Sequence, residues 1–270
     1  MNRRIGRRTH KIPHLKIARA AAISGIAIYG VVTLSTATAS PWGQTGGAYI
    51  VVEQFEQYWS NADDRRFTQS TVQLYGEAGL PKKITVGGKI AYADQTIENP
   101  TLVDRPQGLT GAEVFLQRRL VQRGNSVLST KATYAAPTKV TSALLDGKNT
   151  KQDGAVELSG LYGWSAGSVF MGGDLGYRRS LGGDADQARL HLTLGHKGRS
   201  GRLILVDLYN TFSITNPSTT GLDYDLISLS PSIVIPGWRK SKLQIGAKID
   251  LYGRNVDPGY GAFISIWHER

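Results

Sequence analysis

The chain has 270 residues, with 32 lysines and arginines against 21 aspartates and glutamates, a formal net charge of +11 and no cysteine. The lack of cysteine excludes a disulfide scaffold and a lipoprotein modified at cysteine. Seven basic and no acidic residues lie in residues 1–39, so residues 40–270 carry 25 basic and 21 acidic residues and a net charge of only +4. A charge this small does not support nucleic-acid binding, and we expect no nucleic-acid partner.

The first 39 residues have the three regions of a secretory signal peptide. Basic residues are concentrated at positions 2–19, an apolar run covers 20–34, and Ala37-Thr38-Ala39 places small residues where signal peptidase cleaves. The apolar run is shorter than the about 20 residues of a membrane-spanning helix, which disfavours a membrane anchor. Two arginine pairs in the basic region leave a twin-arginine signal as an alternative. We predict a cleaved signal peptide at 1–39 and a mature protein at 40–270.

The mature chain has the pattern of an all-β protein. Glycine-rich turn signals recur about every dozen residues, between segments of alternating polarity. We predict twelve strands, at 47–59, 67–79, 84–94, 110–122, 126–136, 154–164, 168–180, 186–196, 201–213, 223–236, 241–253 and 259–268. Most are much longer than the roughly 5–6 residues of a soluble strand and suit the roughly 9–11 of a tilted transmembrane strand.

The connections between these strands fall into two classes. Short turns, such as Arg123-Gly124-Asn125 and Ser165-Ala166-Gly167, follow every second strand from the second onward, whereas the opposite side includes ENPTLVDRPQGLT and PTKVTSALLDGKNTKQDG. Outer-membrane barrels have short periplasmic turns on one rim and longer loops on the other. An even number of strands also returns the carboxyl terminus to the periplasmic rim.

The stretch KLQIGAKIDLYG shows the alternation most clearly. Even positions from Lys242 to Tyr252 are polar or glycine, and odd positions from Leu243 to Leu251 are apolar. A soluble sandwich would bury the apolar face in its core, whereas a membrane barrel turns it to lipid. Strand length, the connections and the signal peptide favour a transmembrane antiparallel β-barrel of about twelve strands. We expect it in the Gram-negative outer membrane, in contact with membrane lipid.

In such a barrel the polar faces line the lumen. The charged residues expected there are Glu77, Lys89, Arg119, Asp174, Arg178, Arg189, Lys242, Lys248 and Asp250. Their mixed signs suit salt-bridged networks that stabilise the wall, or the lining of a narrow polar conduit.

The alternation is imperfect in places. In AEVFLQRRLVQ, either Arg118 or Arg119 must face lipid if alternation is strict, unless it snorkels to the rim or a bulge intervenes. Aromatic residues near predicted strand ends, Trp267 and Tyr252 among them, suggest the interfacial girdles of a barrel.

Signals for catalysis are weak. The mature chain has three histidines, His191, His196 and His268. His191 would face Asp174 across neighbouring strands, but no serine is placed to form a nucleophile–base pair. No residue spacing suggests a metal site, and the glycine-rich stretches lie in strands rather than phosphate loops. We expect no enzyme, no cofactor and no metal.

Four segments between residues 40 and 197 carry a family resemblance. SPWGQTGGAYIVVEQFEQY, VQLYGEAGLPKKITVGGKI, GAEVFLQRRLVQRGNSVLS and FMGGDLGYRRSLGGDADQARLHLTLGHK resemble the XagA-like outer-membrane proteins of Gram-negative bacteria. The resemblance implies an outer-membrane β-barrel, in some members associated with surface polysaccharide or biofilm phenotypes. It supplies no catalytic residues.

The function that we expect is support for the passage of polar solutes or surface polysaccharide across the outer membrane. Surface polysaccharide or its secretion machinery would then be a partner. One alternative is a structural or assembly barrel with a plugged lumen. The other is a barrel enzyme that acts on lipid or surface polymer.

Overall fold

The computed structural model describes residues 40–44, 46–62, 65–141, 149–215, 217 and 222–270. The predicted signal peptide lies outside the described residues. Within them, no helix is long and apolar enough to cross a membrane. The strands are, in chain order, β1 (Tyr49–Ala62), β2 (Arg65–Leu80), β3 (Ile84–Asn99), β4 (Leu102–Asp104), β5 (Gln107–Arg123), β6 (Ser126–Ala135), β7 (Thr138–Thr141), β8 (Asn149–Gln152), β9 (Ala155–Ala166), β10 (Val169–Ser180), β11 (Gln187–Lys197), β12 (Leu203–Ser213), β13 (Asp225–Pro236), β14 (Ser241–Arg254) and β15 (Gly259–Glu269).

The twelve long strands form a closed antiparallel barrel. Going round the wall, β1 is followed by β2, β3, β5, β6 and then β9 to β15, and each strand pairs with the next. Pairing of β1 with β15, from Ile50 opposite Glu269 to Ser60 opposite Gly259, closes the ring. The prediction of an antiparallel barrel with about twelve strands is confirmed. The short strands β4, β7 and β8 were not predicted; they fold within the long connections at one rim.

Short connections lie at one rim, here called the short-turn rim, and longer loops lie at the long-loop rim. The short-turn rim holds the 3₁₀ turn Pro81–Lys83, and the first and last strands also begin and end there. In outer-membrane barrels the rim with short turns is periplasmic.

The two faces of the wall have opposite polarity. Large apolar side chains point outward and are open to the surroundings, with Val72 61%, Leu158 64% and Leu175 64% exposed. A soluble sandwich would have buried this face. The inner face instead carries glutamines, serines, threonines and charged residues. The apolar face is therefore the outer surface of the barrel, which explains the alternation in β14.

Two bulges resolve irregular positions of the sequence. Arg119 pairs with the buried Ser129, whereas Val121 pairs with Leu128, so that the register shifts after Arg119. Arg119 thus points inward, while Arg118 points outward beside Ile84, the first residue after a short turn. At that rim a long basic side chain can reach the polar interface.

The second bulge lies in β14, where Ile227 pairs with Tyr252 but Ser228 pairs with Asp250. The shift carries Tyr252 to the outer face, although alternation placed it on the polar face. Trp267, expected in the outer girdle, points inward, where its indole donates a 3.0 Å hydrogen bond to Gln244 Oε1. That expectation was wrong because the polar Nε1–H finds its partner inside the barrel.

Candidate functional site

The structure places the nine predicted lumen residues on the inner face, but not in one group. Lys89, Asp174, Arg178 and Arg189 lie in a region of ion pairs. Glu77, Lys248 and Asp250 lie in a densely packed region, and Arg119 and Lys242 lie near the short-turn rim. The lumen therefore has distinct zones.

A chain of alternating charges joins five strands of the inner wall, β3, β5, β9, β10 and β11. Glu113 of β5 lies between Lys89 Nζ at 3.2 Å and Arg178 Nη1 at 3.0 Å. Arg178 also lies 3.8 Å from Glu157, which receives Arg189 at 3.2 Å. Two of the pairs, Lys89–Glu113 and Arg178–Glu157, join neighbouring strands. The other two pass over one or more intervening strands and so bridge the curved wall. We call the inner face of β5, β6 and β9–β12, with Lys89 at its edge, the ionic half.

The ionic half contains open space beside its charges. The side chains of Lys89 and Glu113 are each 19% exposed and that of Arg189 is 25% exposed, although all three lie on the inside of the wall. A further ion pair joins Lys131 of β6 to Asp174 of β10. Fully packed ion pairs would exclude water, whereas these remain within its reach.

The opposite part of the wall, the inner face of β1–β3 and β13–β15, is the amide half. Its glutamines Gln54, Gln69, Gln73, Gln95 and Gln244 are each no more than 2% exposed. Several bond one another or a hydroxyl, for example Gln95 Nε2 to Gln69 Oε1 at 2.7 Å and Gln244 Nε2 to Ser232 Oγ at 2.9 Å. This half is filled by its own side chains.

The amide half also contains buried charges. Lys248 is 3% exposed, and its positive charge interacts electrostatically with the carboxyl group of the fully buried Glu56. Its neighbour on the same face, Asp250, accepts 2.5 Å hydrogen bonds from the Tyr58 and Ser228 hydroxyls. The Asp250 carboxylate is thus satisfied by hydroxyls of the packed wall.

The amino-terminal segment Ser40–Gln44, here called the strap, crosses the inside of the barrel near the short-turn rim. The Ser129 hydroxyl donates to the carbonyl oxygen of Pro41 at 2.6 Å, and the Gln117 amide donates to that of Ser40 at 2.7 Å. Gln44 donates from its backbone to Thr85 Oγ1 at 2.9 Å, and from its side chain to Glu77 at 2.6 Å.

The wall is shaped to receive the strap. A Cβ atom on Gly163 would lie 2.9 Å from the Trp42 ring and 3.0 Å from Pro41, and one on Gly172 would lie 3.3 Å from Pro41. Gly43 has φ +59°, and a Cβ there would approach Thr85 Oγ1 to 2.7 Å. Glycine is thus required on both sides of this contact.

A cavity of about 240 Å³ lies between the strap and the ionic half. Its rings come from Trp42, Phe170 and Trp267, and its carboxylates from Asp174 and Asp207. His191, Thr193 and Leu205 complete much of the lining. An apolar cavity with a few convergent polar groups is the usual form of a small-molecule site. We call it the strap cavity.

His191 contacts Asp207 and Thr193, but without the geometry of a catalytic triad. Its Nε2 lies 3.1 Å from Asp207 Oδ1 and 3.2 Å from Thr193 Oγ1. In a triad the acid and the nucleophile contact opposite ring nitrogens. Here the hydroxyl donates directly to Asp207 Oδ1 at 2.6 Å. Asp174 is the cross-strand partner of His191, as the alternation suggested.

Loops at the long-loop rim are joined through Asp184, outside the membrane-spanning strands. Its carboxylate accepts hydrogen bonds from the backbone of Leu222 at 2.9 Å and of Asp153 at 3.1 Å. Burial raises the pKa of the Asp184 carboxyl above its ordinary value. These contacts join three loops beside Arg178 of the ionic half.

Sequence reasoning missed the strap and Asp207. The strap depends on contacts between residues that are 33 to 88 positions apart, which no local pattern reveals. Asp207 had a local signal, because it is the single charged residue in LILVDLYNTFS. The signal was obscured because Leu205 and Tyr209 share its inner face.

No protein-family model matches this sequence, and no curated protein matches it. Among solved structures, the chain is similar to an outer-membrane channel from Pseudomonas putida F1, with a TM-score of 0.65 and 13% identity over 87% of this chain and 100% of that one. The translocator domain of the autotransporter NalP from Neisseria meningitidis gives a TM-score of 0.52 and 8% identity over 83% and 89%. The fold is that of an outer-membrane β-barrel.

Proposed function

We propose that the protein is an outer-membrane channel for small polar solutes, narrowed by the strap near the short-turn rim. The observation that carries this proposal is the partial exposure of Lys89, Glu113 and Arg189 inside the barrel. Charged walls beside open space suit ions and polar molecules, because they replace part of the hydration shell. The fold shared with the Pseudomonas channel is consistent with this role.

The direct test is the single-channel conductance of mature protein in planar bilayers, with the reversal potential in a salt gradient. We expect discrete ohmic steps for the mature chain. A variant that lacks residues 40–46 should give larger steps, because the strap no longer fills the lumen. Protein that runs as a folded, heat-modifiable barrel on gels but is silent in both forms would contradict the channel.

A plugged structural barrel is the second candidate, and the strap is the observation that favours it. The strap is held by the hydrogen bonds to Gln117, Ser129 and Thr85 and by its fit against Gly163. A plugged barrel predicts silence from the mature chain and conductance only after the strap is removed. The two candidates therefore predict a different conductance only for the mature chain with its strap in place.

We further propose, from the resemblance to XagA-like proteins, that the passage serves surface polysaccharide or its secretion machinery. The test is the amount of surface polysaccharide and biofilm in a deletion strain. Complementation by the wild-type gene should restore both. Unchanged polysaccharide in the deletion strain would remove this role and leave the solute channel in place.

A further inference from the structure

Two carboxylates line the strap cavity, and each has an oxygen without a protein donor. Asp174 uses Oδ2 to bind Lys131, and Asp207 uses Oδ1 to accept from Thr193 and His191. Within the described residues, no hydrogen bond reaches Asp174 Oδ1 or Asp207 Oδ2. Asp207 is only 6% exposed. The Asp174 and Asp207 side chains keep 12% and 9% exposure, so a donor that enters the cavity can reach these oxygens and bind there in place of water.

The rest of the cavity wall indicates which chemical groups a bound molecule should have besides its hydrogen-bond donors. Trp42 and Phe170 meet edge to face with centroids 6.5 Å apart, and Trp267 and Leu205 add further apolar surface. Aromatic faces attract cations as well as apolar groups. A cation with an apolar body satisfies both parts of the lining.

We propose that Asp174 and Asp207 form a binding site for a primary ammonium group attached to a small apolar body. An ammonium has three donors, no acceptor and a positive charge, which matches two acceptor oxygens on two carboxylates. Charge-assisted hydrogen bonds of this type are about twice as strong as neutral ones. A cavity of about 240 Å³ admits a small amine rather than a polymer.

The ammonium has two sources. Ser40 itself lines the cavity, and cleavage after Ala39, as the sequence predicts, gives Ser40 a free α-ammonium group. An amine solute that enters the lumen is the other source, and it rests on the proposed channel function. The tests below measure binding and reactivity rather than conductance, so that this site and the channel can fail separately.

The first test concerns the amino terminus of mature protein purified from outer membranes. At about pH 7 an α-amine, with a pKa of about 8, is acetylated before lysines, with a pKa of about 10.4. If Ser40 supplies the ammonium, its acetylation measured by mass spectrometry should be at least about tenfold slower in the folded than in the urea-unfolded chain. Asp207→Asn should remove that protection, and Glu98→Gln, at an exposed carboxylate outside the cavity, should not.

The second test is calorimetry with benzylamine and its neutral analogue benzyl alcohol. If a free amine occupies the site, benzylamine should bind wild-type protein at least about tenfold more tightly than benzyl alcohol, and Asp207→Asn should abolish the difference. Asp174→Asn replaces Asp207→Asn if that variant does not fold. Support requires protection of Ser40 or preference for benzylamine that depends on these carboxylates. Any other combination overturns the site.

Discussion

The ionic half and the amide half of the wall have the same fold, the same alternation and similar polarity, yet they hold their interior differently. In the amide half, neighbouring strands fill the interior with mutually bonded amides and hydroxyls, and Gln69, Gln95 and Gln244 are almost fully buried. In the ionic half, charges such as Arg178 and Glu113 pair across several strands and leave space beside them. Polarity of the inner face thus does not locate the open part of a barrel. The open part is located instead by how the inner polar groups are satisfied, by packed neighbours in the amide half and by ion pairs beside open space in the ionic half.

The largest expected effect is a difference in stability between two variants, one in each half of the wall. Lys248→Met should destabilise the barrel by about 2 kcal/mol, because it removes a buried cation that lies 5.6 Å over the Tyr58 ring and interacts electrostatically with Glu56. Lys89→Met, the same change in the ionic half, should cost less than about 1 kcal/mol, because Glu113 keeps Arg178 at 3.0 Å. Urea-induced unfolding of both variants, compared with wild type, measures the difference.

Equal losses in these two variants would show that Lys89 is as essential to the wall as Lys248, and the distinction between the halves would then fail. A stable Lys248→Met variant would show instead that Glu56 is held neutral without its cation. Both outcomes can be read from the same two unfolding curves.

The next effect concerns the strap, which lies beside the ionic half near the short-turn rim. Gly163→Leu should displace the strap, because a side chain at this inner position occupies the space of Trp42 and Pro41. Protease should then cleave within residues 40–48 severalfold faster than in wild type. Gly160→Leu is the matched control, because no atom lies within 4 Å of a Cβ at that exposed position. Equal cleavage in both variants would show that the strap does not depend on this fit.

Local alternation was enough to predict the strands and the inward direction of residues such as Lys248 and Arg178, because the period of a strand is fixed by its backbone. It could not predict which inner residues are packed. From alternation alone Gln244 would be expected to tolerate a carboxylate, yet it is 1% exposed between Trp267 and Ser232. Alternation could not predict the bulges either, because the register shift that turns Tyr252 outward depends on the neighbouring strand.

A smaller effect should appear in ion selectivity. Arg178→Gln removes one positive charge from the ionic half, so the reversal potential in a salt gradient should shift toward cations. Arg118→Gln removes the same charge from the outer face and should leave the reversal potential unchanged. If both variants shift it alike, the ions respond to the general field of the protein rather than to the ionic half.

The smallest effect lies in the loops beside the ionic half and follows from the raised pKa of Asp184. A carboxyl whose pKa is higher in the folded than in the unfolded state binds its proton more tightly when folded. Its contribution to stability therefore falls as the pH rises through the ordinary value toward the raised one. Asp184→Asn does not titrate, so wild type should lose stability relative to this variant between about pH 4 and pH 7. Protease cleavage of the long-loop rim in the two proteins at both pH values measures this change. A constant ratio of the two rates would show that the hydrogen bonds from Leu222 and Asp153 offset the burial of the charge.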